Sequence, residues 1–260
     1  MKAPHLLRDA CAAMAIGLLT TTAFAATYDI QIDGSDAIWL AGRSDLVIPA
    51  ADQPWPGGLI RHGGPTPEEI LETLPPGISV NAGDVIQALD PAIGGISFFN
   101  GFGGTLYGPG GNTLSGNSLT SFGGISAYQG PQGPLVGVFL DDAVPNGVAP
   151  AGLDFTPAGF GTDFLALSPG LAQVFYIGDG KTSGGVFQSF TAPAGATRLF
   201  LGIPDGFNFG GAPGAYDDND GWYSVRIGVN ETPAVPLPGA MWLLGTAFAG
   251  IAGIARRRRA

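Results

Sequence analysis

The sequence predicts an all-β protein. Its 44 glycines and 22 prolines punctuate short apolar runs, the sequence form of strands joined by turns. A hydrophobic fraction of 45% separates it from a disordered polar tract. Between an apolar leader and an apolar tail lie about 205 residues, within the range of one β-sandwich domain. No fixed-period repeat and no linker divides them.

Residues 1–25 read as a secretory signal peptide. Lys2 and Arg8 form a basic start, residues 12–19 an apolar run, and Ala23-Phe24-Ala25 an A-x-A cleavage site that leaves Ala26 as the first mature residue. Cys11 precedes the apolar run, so it is no lipoprotein cysteine and leaves with the signal. The mature chain then has no thiol nucleophile and no disulfide, and must be stabilised by core burial or by metal.

The domain is expected over residues 26–231. Tyr28, Ile30 and Ile32 alternate with Asp29 and Gln31, which predicts a strand over 27–32 with one buried face. A second strand is expected over 37–41. Residues 45–65 form a proline-rich loop carrying Trp55, Arg61 and His62. Residues 65–74 are the one helix candidate: Thr66 can cap it, Pro67 suits the first helical position, and Glu68 and Glu69 fall in the first turn. Strands over 78–80 and 84–89 flank the turn signal Asn81-Ala82-Gly83. An apolar strand is expected over 96–99, then a long Gly-, Asn- and Ser-rich surface loop over 100–124. The near-continuous apolar run 135–140 predicts a central strand, and 141–161 a loop. Strands over 174–177, 186–190, 198–203 and 222–227 complete the set.

The tail, 232–260, has three contiguous parts. Val235-Pro236-Leu237-Pro238 brackets a start, because a residue before proline is pushed out of the helical region. Residues 239–255 are apolar and uncharged, and as a transmembrane helix would span about 26 Å at ~1.5 Å per residue, near the short limit for a bilayer. Arg256, Arg257, Arg258 and Arg259 then hold the end on the cytoplasmic side. A plain membrane anchor needs only the last two parts. The tripartite order resembles the PEP-CTERM sorting signal of exopolysaccharide-producing Gram-negative bacteria in a Val-Pro-Leu-Pro variant, with Leu237 where the usual Glu would stand. The resemblance implies recognition and cleavage by an exosortase, a membrane cysteine transpeptidase. It covers about a tenth of the chain.

Processing changes the charge. The leader removes Lys2, Arg8 and Asp9, and the tail removes four arginines, leaving five basic and 20 acidic residues and a net charge near −15. That argues against nucleic acid, which demands basic patches. It suits an extracellular domain whose carboxylates hold calcium.

The acidic residues crowd at Asp217-Asp218-Asn219-Asp220-Gly221, after a strand expected to end at Asp205. Calcium takes six to eight oxygen ligands, and Asp and Asn on a glycine-bounded loop can supply them. Such a cluster between strands also serves as a solvated turn. The EF-hand pattern is missing.

Pro213-Gly214-Ala215-Tyr216-x-Asp218-Asn219-x-Gly221-x-Tyr223-Ser224-Val225 resembles the C-terminal calcium loop of the PA-IL-like galactophilic lectins. Residues 132–140 and 186–203 are similar to strands of that family. The resemblance covers the second half of the mature chain and implies a jelly-roll-like, galactose-binding-like β-sandwich. By its pattern Asp205 matches an aspartate ligand of calcium. Asp218 and Asn219 match a pair of Asn ligands, and Ala215 matches a ligand acting through its backbone carbonyl. Asp in place of an amide at 218 adds charge that favours calcium. Two features depart from the family: residues 207–212 are inserted after Asp205, and no counterpart exists for the His and Gln that contact sugar.

Catalytic signals are sparse. The mature chain's single histidine, His62, lacks a G-x-S-x-G partner. Zinc-ligand spacing and a phosphate-cradling glycine motif before a helix are also missing. Paired carboxylates for glycoside hydrolysis stay open, because aspartate is plentiful. The reading is therefore an exported, non-enzymatic protein. It passes signal peptidase and an inner-membrane intermediate held by the tail, then reaches the cell surface or extracellular matrix. There it takes a structural or calcium-dependent carbohydrate-binding role, with exopolysaccharide or a galactose-like sugar as partner. The rival is a secreted glycan hydrolase.

Overall fold

The computed structural model describes residues 25–47, 54–55, 59–60, 73–98 and 105–233. The signal peptide up to Phe24 (with Ala23), the sorting motif Val235 to Pro238, the apolar run 239–255, Arg256 to Arg259, and Arg61 and His62 lie outside the described residues. Among the described residues no helix is long and apolar enough to cross a membrane.

The chain is all-β, as its punctuation predicts. Among the described residues sixteen strands follow one another. They are β1 (Ala26–Asp33), β2 (Pro54–Trp55), β3 (Leu59–Ile60), β4 (Gly77–Ser79), β5 (Val85–Ala88), β6 (Ile93–Ser97), β7 (Asn112–Leu119) and β8 (Tyr128–Gln132). Then come β9 (Val136–Leu140), β10 (Leu153–Asp154), β11 (Ala166–Leu167), β12 (Val174–Tyr176), β13 (Ser189–Thr191), β14 (Arg198–Gly202), β15 (Gly210–Gly211) and β16 (Asp220–Val229). The first sheet runs β1-β16-β5-β13-β11, with β6 also on β16. The second runs β12-β9-β14-β4 and the third β10-β8-β7-β15, while β2 and β3 pair with each other.

β16 organises the first sheet. One edge pairs with β1 from Ala26↔Val229 to Asp33↔Trp222. The other edge is shared, with β6 against residues 220–224 and β5 against residues 227–229. The expected alternation in β1 is present: Ile30 and Ile32 are buried, while Asp29 and Gln31 are exposed. β9 is central in the second sheet and buried at all five positions, as a strand covered on both faces must be. Its Gly137 is required by packing. A Cβ there would meet the Phe175 ring at 2.6 Å, so only glycine lets β12 lay that ring across the strand. Phe175 stacks on Phe139 at 5.2 Å and reaches Phe190 of the first sheet at 5.0 Å. Phe155 joins Tyr128 of the third sheet to Tyr176 of the second. The sheets thus share one core, each large apolar side chain contributing about 1.5–3 kcal/mol by burial.

Several expectations are corrected. Residues 37–41 form a single 3-10 turn, Ile38–Leu40, rather than a strand. All five residues are buried, and a run with no polar face carries no period to separate strand from turn. Trp39 decides the geometry by donating its ring N–H to the Ser126 carbonyl at 3.0 Å. Residues 100–124 are not one loop, because they contain the eight-residue β7. Glycine-rich polar sequence is strand here because β8 supplies a ladder for it, and pairing context outweighs propensity. The short β10 lies within the expected loop 141–161, and β6 and β13 are displaced from the predicted spans by up to three residues. The helix candidate lies outside the described residues up to position 72. At its end Thr73 is extended and bridges Asp36. β14 ends at Gly202, three residues before Asp205.

Candidate functional site

The site is built where β14 hands over to β16. Beyond β14 the chain turns at Pro204 and Asp205, and Tyr216 fixes that turn. Its hydroxyl donates to the Ile203 carbonyl at 2.6 Å and accepts the Asp205 N–H at 3.0 Å. The Gly214 N–H donates to the Asp205 carbonyl at 3.2 Å, and the Gly206 N–H to Asp205 Oδ1 at 2.7 Å. Asp205 is left only 3% exposed. A carboxylate buried so deeply demands partners, since burial of a charge is costly unless it is paired.

Its nearest groups are the residues the sequence selected. The Asn219 side chain lies close enough to act on the Asp205 carboxyl group, as do the charges of Asp218 and Asp217. Asp205, Ala215 and Asp218 line one cavity of about 480 Å³. Ala215 stands in the left-handed backbone region with φ 58°, which residues with a Cβ rarely adopt without cause. The structure thus places Asp205, Ala215 and Asp218 around one cavity, with Asn219 next to Asp218 in the chain.

Burial is the main cause that pushes the Asp205 carboxyl well above the ordinary carboxylate range. The Asn219 side chain and the Gly206 N–H oppose the shift, and the charges of Asp218 and Asp217 add to it. Asp218 is raised to about 6, first by burial and then by Asp217 and Asp220. Two amide oxygens nearby are buried without a hydrogen-bond partner. One is Asn219 Oδ1, whose Nδ2 donates to the Gly34 carbonyl at 3.0 Å. The other is Asn117 Oδ1, on the inward face of β7, whose Nδ2 donates to the Pro204 carbonyl at 3.3 Å. Orphan acceptors beside raised carboxyl groups lack a positive partner. Among the described residues no three of His, Cys, Asp and Glu are grouped for a metal. The set here is of the oxygen-rich kind calcium takes, mixing carboxylate with amide and carbonyl.

Sequence reasoning missed the rest of the cavity. Asn112 of β7 and Gln132 of β8 line it, joined by Asn112 Nδ2 donating to Gln132 Oε1 at 2.9 Å. Phe98, Tyr107, Phe207 and Phe209 form an aromatic wall. Tyr223, buried on β16, sets its hydroxyl 3.0–3.2 Å from the carbonyls of Tyr107, Gly108 and Gly133, tying these loops to the core. Gly133, with φ +57°, is needed there, because a Cβ would lie 2.0 Å from the Phe98 ring. With residues 100–124 read as loop, no pattern pointed to β7 as a wall of the site.

The raised groups fix a pH dependence. Asp36, buried on the far side of Gly34, is also pushed to about 6, chiefly by burial, against bonds from the Asp33 N–H and Thr73 and with the Asp33 charge adding. Between the ordinary 3.8 and about 6 the native chain holds protons that the unfolded chain has released. In chelator, stability should therefore be greatest at the acid end and fall as pH rises through that window. Denaturation midpoints followed across it should show the fall. Asp36→Asn should reduce it with or without calcium, and Asp218→Asn only in chelator. A flat profile in chelator would count against the buried carboxyls.

No family model, curated protein or solved structure matches this chain.

Proposed function

We propose that this is an exported protein, sorted through its 232–260 tail to the cell surface or exopolysaccharide matrix. Its domain binds calcium through Asp205, the Ala215 carbonyl, Asp218 and Asn219, and through that site a glycan of the matrix. The observation that carries the reading is the buried Asp205 carboxyl beside the unpartnered Asn219 Oδ1, in a cavity shared with Asp218 and Ala215. A divalent cation there would neutralise the crowded carboxylates and satisfy the amide oxygen. The three-sheet all-β architecture supports a jelly-roll-like, galactose-binding-like sandwich as the finer fold.

Topology also supports presentation from a surface. Asp218 and Asn219 lie at the start of β16, and the tail follows its end. Ten residues of strand separate them by roughly 30 Å at ~3.3 Å per residue. The mature start lies with the tail, since Ala26 pairs with Val229 and Thr27 Oγ1 donates to Glu231 Oε2 at 2.6 Å. The site therefore stands at the end of the strand away from the attachment point.

One observation favours glycan hydrolysis as a second reading. Asp205 and Asp218 line the same aromatic cavity with raised pKa values, as an acid pair in a glycosidase would. A glycan array with calcium and with chelator, beside a hydrolysis assay on the host's own polysaccharide, separates the two. Calcium-dependent retention without release of sugar is expected. Turnover abolished by Asp205→Asn would replace binding with hydrolysis, and retention unchanged in chelator would remove the cation from the mechanism.

A further inference from the structure

The insertion at 207–212 is the part of the site that neither the calcium reading nor the resemblance uses. It opens with a 3-10 turn, Phe207–Phe209, in which Asn208 and Phe209 both stand at φ 56°. Two successive left-handed residues with side chains persist only where their surroundings hold them. Here the Phe209 N–H donates to the Gly206 carbonyl at 2.7 Å, and Phe209 packs edge-on to Phe98 at 5.8 Å. The turn's far end is pinned by β15 on β7, with the Thr120 N–H donating to the Gly211 carbonyl at 2.7 Å. Phe209 and Phe98 therefore form the fixed wall, while Phe207 is held at the mouth and left 55% exposed.

The lining restricts what fits. Purely apolar ligands would offer no hydrogen bond to a polar lining that holds Asp205, Asp218 and the Asn112–Gln132 amide pair. Anionic ligands would meet no counter-charge from the lining, because among the described residues no Lys or Arg lines the cavity, and Asp217 and Asp220 add negative field beside it. A neutral sugar ring has both properties required: a face of C–H groups for an aromatic ring, and a rim of hydroxyls for amides and carboxylates. The volume, about 480 Å³, exceeds the roughly 300 Å³ at which small-ligand pockets begin. With an aromatic ring at the mouth as well as within, the arrangement suits a chain that continues outward.

We propose that Phe207 forms a second subsite that stacks the sugar residue adjoining the one held in the cavity, so that the ligand is a neutral polysaccharide segment rather than a free monosaccharide. This rests on the glycan-binding reading above. The secreted, processed protein is titrated in calcium with neutral mono-, di-, tri- and tetrasaccharides of galactose, glucose and mannose, and the calcium-dependent melting shift is measured on the same samples. At least one series should bind more tightly as it lengthens. Phe207→Ala should weaken the oligomers about two- to twelvefold, the range of an aromatic stacking contact, and leave the monosaccharide and the melting shift unchanged. Phe207→Trp should restore oligomer binding. The subsite is overturned if Phe207→Ala alters nothing or weakens monomer and oligomer alike, or if no neutral glycan binds while calcium still raises the melting temperature. Length-dependent binding through Phe207 without any melting shift would instead overturn the cation site and keep the subsite.

Discussion

Calcium is expected to raise the melting temperature of the mature protein by about 5–10 °C. Binding to the native state alone contributes about 2.7 kcal/mol at a hundredfold excess over Kd, and a domain of this size shifts by about 2–4 °C per kcal/mol. The cause is the cost of the empty arrangement. Asp205 is 3% exposed and Asp218 is raised to about 6, so without a cation the fold either protonates them or bears their repulsion. Asp205→Ala and Asp218→Ala should each abolish the calcium-induced rise. Asp141→Ala should not, since Asp141 is exposed, its carboxylate accepts only the Ala143 N–H, and its contact with Arg198 is made through the backbone carbonyl that the variant keeps. Equal melting in calcium and in chelator would make the loop a solvated turn and leave the lectin resemblance as one of fold alone.

The tail should control release in an all-or-none manner. Secreted protein should begin at Ala26 and lack Arg256 to Arg259, which intact mass resolves. Pro236→Ala with Pro238→Ala removes the bracket that stops the helix growing backwards, and should leave the chain in the membrane fraction with its arginines. Unchanged export and release would reduce the tail to an ordinary anchor, as would secreted protein that keeps the arginines. Neither result bears on the proposed cation site, because Asp218 and Asn219 precede β16 and the tail follows it in the chain.

Strands were legible where one face is wet or both are dry. β1 alternates, and β9 is an unbroken apolar run; each pattern states its own burial. Residues 37–41 were misjudged because complete burial erases periodicity, and the deciding bond from Trp39 to Ser126 spans 87 positions. β7 was misjudged for the opposite reason. Its polar, glycine-containing sequence has no local preference for a strand and takes one only beside β8.

The candidate site divides along the same line. Sequence alone determined the all-β class and the charge crowding at 217–220, because punctuation and close spacing are local properties, while the choice of Asp205, Ala215, Asp218 and Asn219 came from the resemblance. Tertiary structure alone decided that Asp205 is sealed by Tyr216, that Asn219 keeps a buried oxygen without a partner, and that β7 and β8 bring Asn112 and Gln132 to the same cavity. Those facts depend on contacts between residues far apart in the chain, such as Asn219 and Gly34 at 185 positions, which no window of sequence contains. Burial is what separates this acidic turn from a solvated one, and burial is a property of the packed sheets.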